Sequence, residues 1–150
     1  MADSPDVLRG PHVLEYPYKR SLGPVLSRFF TSLRDRKFEG IKSQDGKVLV
    51  PPQEYDPYTG EALSEWVSVG PGGKVVSWSW VSKPRTKQPL NHPFAYALIQ
   101  LDGADVPLLH AVDAGEESRL SIGARVQPRW ADEPKGGIND VVCFTLEEGA

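Results

Sequence analysis

Short apolar runs, separated by clusters of turn-forming residues, fill the second half of the chain. They cover residues 65–69, 74–83, 94–101, 106–112, 124–130 and 140–146. Runs of this length bounded by Gly, Pro and Asp are typical of β-strands. Residues 115–120 form a polar interruption with room for one or two helical turns. The pattern therefore predicts a short first run, a three-stranded meander, a short helical segment and two further strands.

This order of elements favours a five-stranded OB barrel, which we place at residues 64–148. In the OB fold a connection joins the third and fourth strands, and residues 115–120 occupy that position. An open β-sandwich needs about seven strands, more than the pattern supplies. The fold class is therefore expected to be mainly β.

A helical pattern precedes the strands, at residues 21–40. Apolar side chains recur there at spacings of three and four, at Leu22, Leu26, Phe29, Phe30, Leu33 and Phe38. Ser21 is placed to cap the helix, Pro24 is tolerated in the first turn, and Gly40 is placed to end it. The pattern predicts an amphipathic helix. Whether the apolar stripe packs on its own domain or faces a partner stays open.

The two remaining segments are predicted to be non-helical. Residues 1–20 are polar and interrupted by prolines, which indicates an extended arm. The middle of that arm, residues 13–18 (VLEYPY), is too apolar for a free tail, so we expect it to lie against this domain or a partner. Residues 41–63 hold two tight turns, at Asp45-Gly46 and Asp56-Pro57, on either side of an apolar run.

Composition narrows the functional classes. The chain has 150 residues, of which 39% are hydrophobic, enough for one domain with a core. Its net charge of −3 argues against a protein that binds the phosphate backbone. No apolar run approaches the ~20 residues of a membrane span. With no export signal and a single cysteine, we expect a cytoplasmic protein without a membrane partner.

The residue pattern predicts no catalytic set. Cys143 lies inside a predicted strand, where a small buried thiol is the usual state. His92 is expected in a turn at a strand entrance, and His110 in the barrel core or at its mouth. The acidic pair Glu116-Glu117 belongs to a polar connection and is expected to be solvated. We therefore expect that this chain is not an enzyme on its own.

Taken together, the helix, the two-turn segment and the barrel resemble a known family. The matching segments are residues 40–52, 55–60, 73–78, 93–103, 122–126 and 137–140. By their order and spacing the chain is similar to the zinc-ribbon and OB-fold proteins, family thirty-five of the domains of unknown function. The resemblance covers residues 20–147.

Members of that family accompany thiolase-superfamily enzymes, including lipid-transfer-protein-like thiolases and aldolases of sterol side-chain degradation. The resemblance implies a non-catalytic accessory subunit that docks on such an enzyme and helps to form its acyl-CoA site. It also implies a hetero-tetramer of two chains of each kind. Cleavage of carbon–carbon bonds in fatty-acyl or sterol side-chain substrates would then belong to the partner.

The chain departs from the family at the ribbon, where each turn would carry a C-x-x-C pair. The four expected cysteine positions hold Lys42, Asp45, Asp56 and Thr59. A lysine ammonium has no lone pair to donate, and Zn²⁺ in structural sites prefers Cys and His ligands. We therefore expect a degenerate ribbon at residues 41–63 without a metal. Six apolar side chains would hold it instead: Ile41, Val48, Val50, Tyr55, Tyr58 and Leu63.

The candidate binding surface is the loop between the first two barrel strands, which borders the ligand face of OB folds. Its basic residues are suited to the phosphates of coenzyme A, and neighbouring aromatic rings would offer apolar surface. The proposed contact residues are Lys83, Arg85, Lys87, Trp78, Trp80 and Phe94. The same set would also suit a single-stranded nucleic acid, which is the alternative function.

Overall fold

The computed structural model describes residue 7 and residues 9–147. One α-helix, α1 (Gly23–Arg34), comes first. The strands are β1 (Phe38–Lys42), β2 (Val48–Leu49), β3 (Trp66–Val69), β4 (Gly73–Val81), β5 (Phe94–Leu101), β6 (Leu108–Asp113), β7 (Arg125–Trp130) and β8 (Val141–Leu146). Single 3₁₀ turns lie at Glu117–Arg119 and Ile138–Asp140.

Strands β4 to β8 close into a barrel in the order β4-β5-β6-β8-β7. The first three form an antiparallel meander, in which Trp78 lies opposite Ala97 and Ala97 opposite His110. Strand β8 then pairs in parallel with β6, and β7 pairs with both β8 and β4. This is the predicted five-stranded barrel of OB type, with the predicted helical turn between its third and fourth strands.

The barrel begins at Gly73, not at the predicted residue 64. Strand β3 pairs with β1 in a separate three-stranded sheet of order β2-β1-β3. The sequence shows a short apolar run at this position but not the strand with which it pairs, so the sequence did not distinguish the two sheets. The small sheet is held to the barrel by the loop after β5, because Asp105 exchanges two hydrogen bonds with Val48.

The helix is shorter than predicted at both ends. Ser21 does not cap it, and no side-chain hydrogen bond caps the N-terminal residue Leu22. At the other end Arg36 adopts a positive φ of 56°, which ends the helix before Phe38. Phe38 and Gly40 instead lie in β1. A Cβ at Gly40 would lie 2.7 Å from a Val48 methyl group, so this glycine serves close packing of strands rather than a helix stop.

One continuous core joins the helix, the small sheet and the barrel. Phe29 and Leu33 of α1 are fully buried in the same cluster as Ile99 and Phe144 of the barrel. Phe38 lies between these layers, with its ring centroid 5.1 Å from Trp130 and 6.0 Å from Phe144. The apolar stripe of the helix therefore packs on its own domain through Phe29 and Leu33. The sequence had left open whether this stripe faces its own domain or a partner.

The packing predicted for the ribbon is confirmed for four of its six side chains. Ile41, Val48, Val50 and Leu63 are buried, as expected. Tyr55 and Tyr58 are 56% and 81% exposed and stabilise nothing by burial. Segment 41–63 consists of the turn between β1 and β2 and a second turn closed by a bridge between Tyr55 and Ala62.

The N-terminal arm does not lie against its own domain. Every described residue from 7 to 21 is exposed, and none belongs to a helix or strand. Val13, Tyr16 and Tyr18 are 74%, 78% and 81% exposed. The arm thus presents a run of apolar side chains to solvent. No helix among the described residues has the length and apolar character needed to cross a membrane.

Candidate partner-binding and ligand-binding surfaces

Within the described residues no cysteine, serine or threonine side chain is hydrogen-bonded to a histidine. Cys143 is buried in the barrel, and burial raises the pKa of its thiol. His110 is partly buried, which lowers its pKa, and its Nδ1 accepts the N–H of Ala111 at 2.9 Å. His92 lies at the surface with its Nε2 3.1 Å from Asp113. These positions match the structural roles that the sequence indicated for each side chain.

The loop between β4 and β5 presents its basic residues to solvent. Lys83, Arg85 and Lys87 are all exposed, and within the described part of the chain none of them forms an ion pair. The Gln88 side chain accepts the N–H of Arg85 at 2.7 Å, and Gln88 N–H returns to the Arg85 carbonyl at 3.1 Å. This tight turn holds the three cations on one short segment.

Of the three aromatic residues proposed beside that loop, one is fully buried and two are partly buried. Phe94 is fully buried in a small cluster with Leu90 and Cys143, so its ring is closed to a ligand. Trp78 and Trp80 pack against the main barrel core and lie opposite the buried Ala97 and Ala95. The prediction that Phe94 offers apolar surface to a ligand is therefore wrong, because the barrel core buries its ring, whereas Trp78 and Trp80 are only partly buried.

The sequence did not predict an apolar groove that the structure shows on the barrel. It has a volume of about 230 Å³ and is lined mainly by β5, β6, β8 and two loops. Its walls are Pro89, Tyr96, Leu109, His110, Ala111, Ile138, Asn139, Val141 and Val142. Leu109 is 62% exposed although it lies within a barrel strand. One wall residue, Pro89, also belongs to the loop between β4 and β5 that carries the three cations.

The four ribbon positions do not fit a zinc ion. Lys42 Nζ lies 3.1 Å from the Glu65 carboxylate, and the Thr59 hydroxyl accepts the N–H of Glu61 at 3.3 Å. Asp45 is hydrogen-bonded to Ser43 and pairs with Lys47 at 3.0 Å. Across the described ranges no three His, Cys, Asp or Glu side chains gather closely enough to hold a metal.

Asp56, the fourth of these positions, is buried, at 3% exposure. Its carboxylate accepts the backbone N–H groups of Gln44, Tyr58 and Thr59 at 2.8, 2.8 and 3.0 Å. These hydrogen bonds lower the pKa of Asp56, so the group is a satisfied anion. Nothing in the sequence signalled this role, because the donors are main-chain groups of two separate turns.

Comparison with known proteins gives a consistent set of matches. Residues 66–131 match the family described as the C-terminal OB-fold domain of ChsH2. A DUF35 domain-containing scaffold protein of Pyrococcus furiosus is 28% identical over 103 residues, which are 68% of this chain and 75% of that protein.

Two solved structures share the fold. A DUF35-family protein of unknown function from Sulfolobus solfataricus superposes with a TM-score of 0.60 at 21% identity, covering 83% of this chain and 84% of that one. A chain of the Ltp2-ChsH2(DUF35) aldolase superposes with a TM-score of 0.61 at 15% identity, covering 85% and 97%.

Proposed function

We propose that the chain, whose residues 66–131 match the C-terminal OB-fold family of ChsH2 and which is similar to a DUF35 scaffold protein, is a non-catalytic accessory subunit of a thiolase-like enzyme. The partner supplies the reacting groups, and this chain supplies a docking surface. Two relatives support the proposal by name: one is called a scaffold protein, and another is a component of an aldolase assembly.

The observation that carries the proposal is the exposed apolar arm. Val13, Leu14, Tyr16 and Tyr18 are each at least 65% exposed. Tyrosine side chains of this kind contribute strongly to binding when a partner buries them. We expect the enzyme to cover this arm, because leaving four large apolar side chains in water has no benefit for the isolated chain.

At a finer level, we propose that the basic loop contacts the acyl-CoA substrate of the complex. Lys83, Arg85 and Lys87 would meet its phosphates, and the adjoining groove would shelter an apolar part of the thioester. The substrate would be a fatty-acyl or sterol side-chain thioester, cleaved by thiolysis or by retro-aldol chemistry. A hetero-tetramer of two subunits of each kind is the assembly we expect.

Affinity purification of the tagged chain from its own cells tests the docking role. The proposal predicts recovery of a thiolase-fold protein, identified by mass spectrometry. Recovery of RNA or DNA in its place would favour the alternative function, binding of single-stranded nucleic acid through the OB fold.

The loop is tested separately, by changing Arg85 and Lys87 to Ala in the assembled complex. Loss of two phosphate contacts is expected to raise the KM for acyl-CoA about tenfold while the subunits stay associated. The matched control changes Lys74, an exposed lysine of β4, to Ala. If the double variant and the control give the same KM, the loop does not bind the substrate.

A further inference from the structure

The resemblance to zinc-ribbon proteins would place the two metal-binding turns of segment 41–63 at residues 42–45 and 56–59. The first turn is closed by Ser43, whose N–H donates to the Lys47 carbonyl at 2.8 Å. The second is closed by Asp56, whose N–H donates to the Glu61 carbonyl at 2.8 Å. Each turn is therefore formed by its own local hydrogen bonds, and something else must hold one turn against the other.

The Asp56 carboxylate makes that connection, and its two oxygens have different tasks. Oδ1 accepts the N–H groups of Tyr58 and Thr59, which belong to the same turn as Asp56. Oδ2 accepts the N–H of Gln44, twelve residues earlier, in the other turn. We propose that the Asp56 carboxylate cross-links the two turns of this segment and does so in place of a metal ion.

The surroundings of Asp56 favour this role. The side chain is 97% buried in terms of accessible surface, since its exposure is only 3%, and all three of its N–H partners are within 3.0 Å. A buried carboxylate with several N–H donors is among the stronger hydrogen-bonded groups of proteins, because charge-assisted bonds exceed neutral ones. It needs no cation to compensate it.

Asp45, the other carboxylate of the four positions, offers a contrast. It binds the Ser43 hydroxyl, the Lys47 N–H at 3.3 Å and the Lys47 ammonium at 3.0 Å. All of these groups belong to its own turn. Asp45 therefore orders one turn but joins nothing across the segment, which makes it a matched control for Asp56.

The difference between the two Asp56 oxygens allows a selective test in the full-length chain. In Asp56→Asn the side-chain oxygen retains the hydrogen bonds within its own turn, while the new NH₂ group cannot accept the Gln44 N–H. Asp56→Ala removes all three bonds. Asp45→Asn leaves the cross-link in place. Amide hydrogen exchange, followed by NMR at Gln44, Tyr58 and Thr59, reports each bond separately.

We expect the Gln44 amide to exchange about tenfold faster in Asp56→Asn, with Tyr58 and Thr59 changed by no more than about twofold. Asp56→Ala should accelerate all three amides, and Asp45→Asn should leave the Gln44 amide as it is. Ile99, in the barrel core, serves as the reference for global unfolding. The proposal is wrong if Asp56→Asn leaves Gln44 protected or if Asp45→Asn exposes it to the same degree.

The unmodified chain gives a second test that does not depend on a variant folding. Addition of EDTA should change the exchange of Gln44, Tyr58 and Thr59 by less than about twofold, because no metal holds these amides. Acceleration by EDTA, reversed by added Zn²⁺, would mean that a metal joins the turns and would overturn the proposal. Neither result depends on whether the partner is a thiolase-like enzyme.

Discussion

At the scale of single residues, Phe38 has the largest predicted effect on stability. It is 2% exposed and contacts rings of two barrel strands, Trp130 and Phe144. Phe38→Ala should lower the free energy of unfolding by about 3–5 kcal/mol, through lost burial and the cavity that remains. Urea denaturation of the full chain measures this change in the free energy of unfolding. Tyr58→Ala, at an 81% exposed ring, is the control and should change little.

Asp140 gives a residue-scale prediction for pH. Its burial acts to raise the pKa, but hydrogen bonds from the N–H groups of Lys135, Gly136 and Gly137 outweigh this effect, and the pKa is lowered overall. A lowered folded-state pKa stabilises the fold above the unfolded-state pKa, which is about 3.9, and this contribution disappears as the pH falls through the folded value.

The corresponding measurement compares unfolding of the natural chain and of Asp140→Asn between pH 7 and pH 2. The natural chain should be the more stable at pH 7, and the difference should shrink below about pH 4. Asp132→Asn, at an exposed position in the same loop, should have no such effect. A stability difference that is constant with pH would show that the charge of Asp140 is not responsible.

These residue roles were only partly accessible from the sequence. The core position of Phe29 and Leu33 followed from helical spacing, because spacing reports which side of an element is apolar. The same spacing wrongly extended the helix to Phe38, since it does not register the left-handed turn at Arg36. Asp56 and Asp140 gave no signal at all, because their partners are main-chain N–H groups fixed only in the folded chain.

At the scale of elements, closure of the barrel depends on Gly73. This residue pairs with Leu101 of β5 and with Val126 of β7, so it lies where β4 joins both neighbours. A Cβ there would lie 2.6 Å from the Gln100 carbonyl oxygen and 3.0 Å from the Leu101 Cα. Both are backbone atoms, which cannot move without disturbing the strand pairing.

Gly73→Ala should therefore destabilise the chain by about 1–3 kcal/mol, as overpacking of a rigid site does. Gly137→Ala is the control, since its added Cβ would meet no atom within 4 Å. Thermal unfolding followed by circular dichroism measures both variants. Equal melting temperatures for the two would mean that β4 has more room at the closure than the distances indicate.

The order of elements was largely predictable, and their grouping was not. Alternating apolar runs and turn clusters indicated the barrel strands and the helical turn between the third and fourth of them. The pairing of β3 with β1 was missed, because pairing partners far apart in sequence leave no local trace. The apolar groove was not predicted for a similar reason. Leu109 is apolar like its buried neighbours, and its exposure is visible only in the folded structure.

At the scale of the whole molecule, the chain should be stable without zinc. Packing of Ile41, Leu49 and Leu63 and the hydrogen bonds of Asp56 hold the segment for which the resemblance to zinc-ribbon proteins implied a metal. Elemental analysis of the purified full chain should find zinc well below stoichiometric amounts. Stoichiometric zinc that survives dialysis would contradict this account of the ribbon positions.

The N-terminal arm is the docking element of the whole molecule in the proposed function. The side chains of Tyr16 and Tyr18 are exposed to solvent in the isolated chain. Changing both to Ser should therefore leave its fold intact. In the complex, each buried tyrosine is expected to contribute about 1–2 kcal/mol, so the double change should weaken association by tenfold or more.

The most direct test measures how much thiolase-fold partner the tagged chain retains in a pull-down, with and without Tyr16→Ser and Tyr18→Ser. Leu109→Ser, in the apolar groove, serves as the control at another largely exposed apolar side chain, which is 62% exposed. The account predicts loss of most of the partner from the arm variant and retention by the groove variant. Full retention by the arm variant, or turnover of a thioester by the purified chain alone, would contradict it.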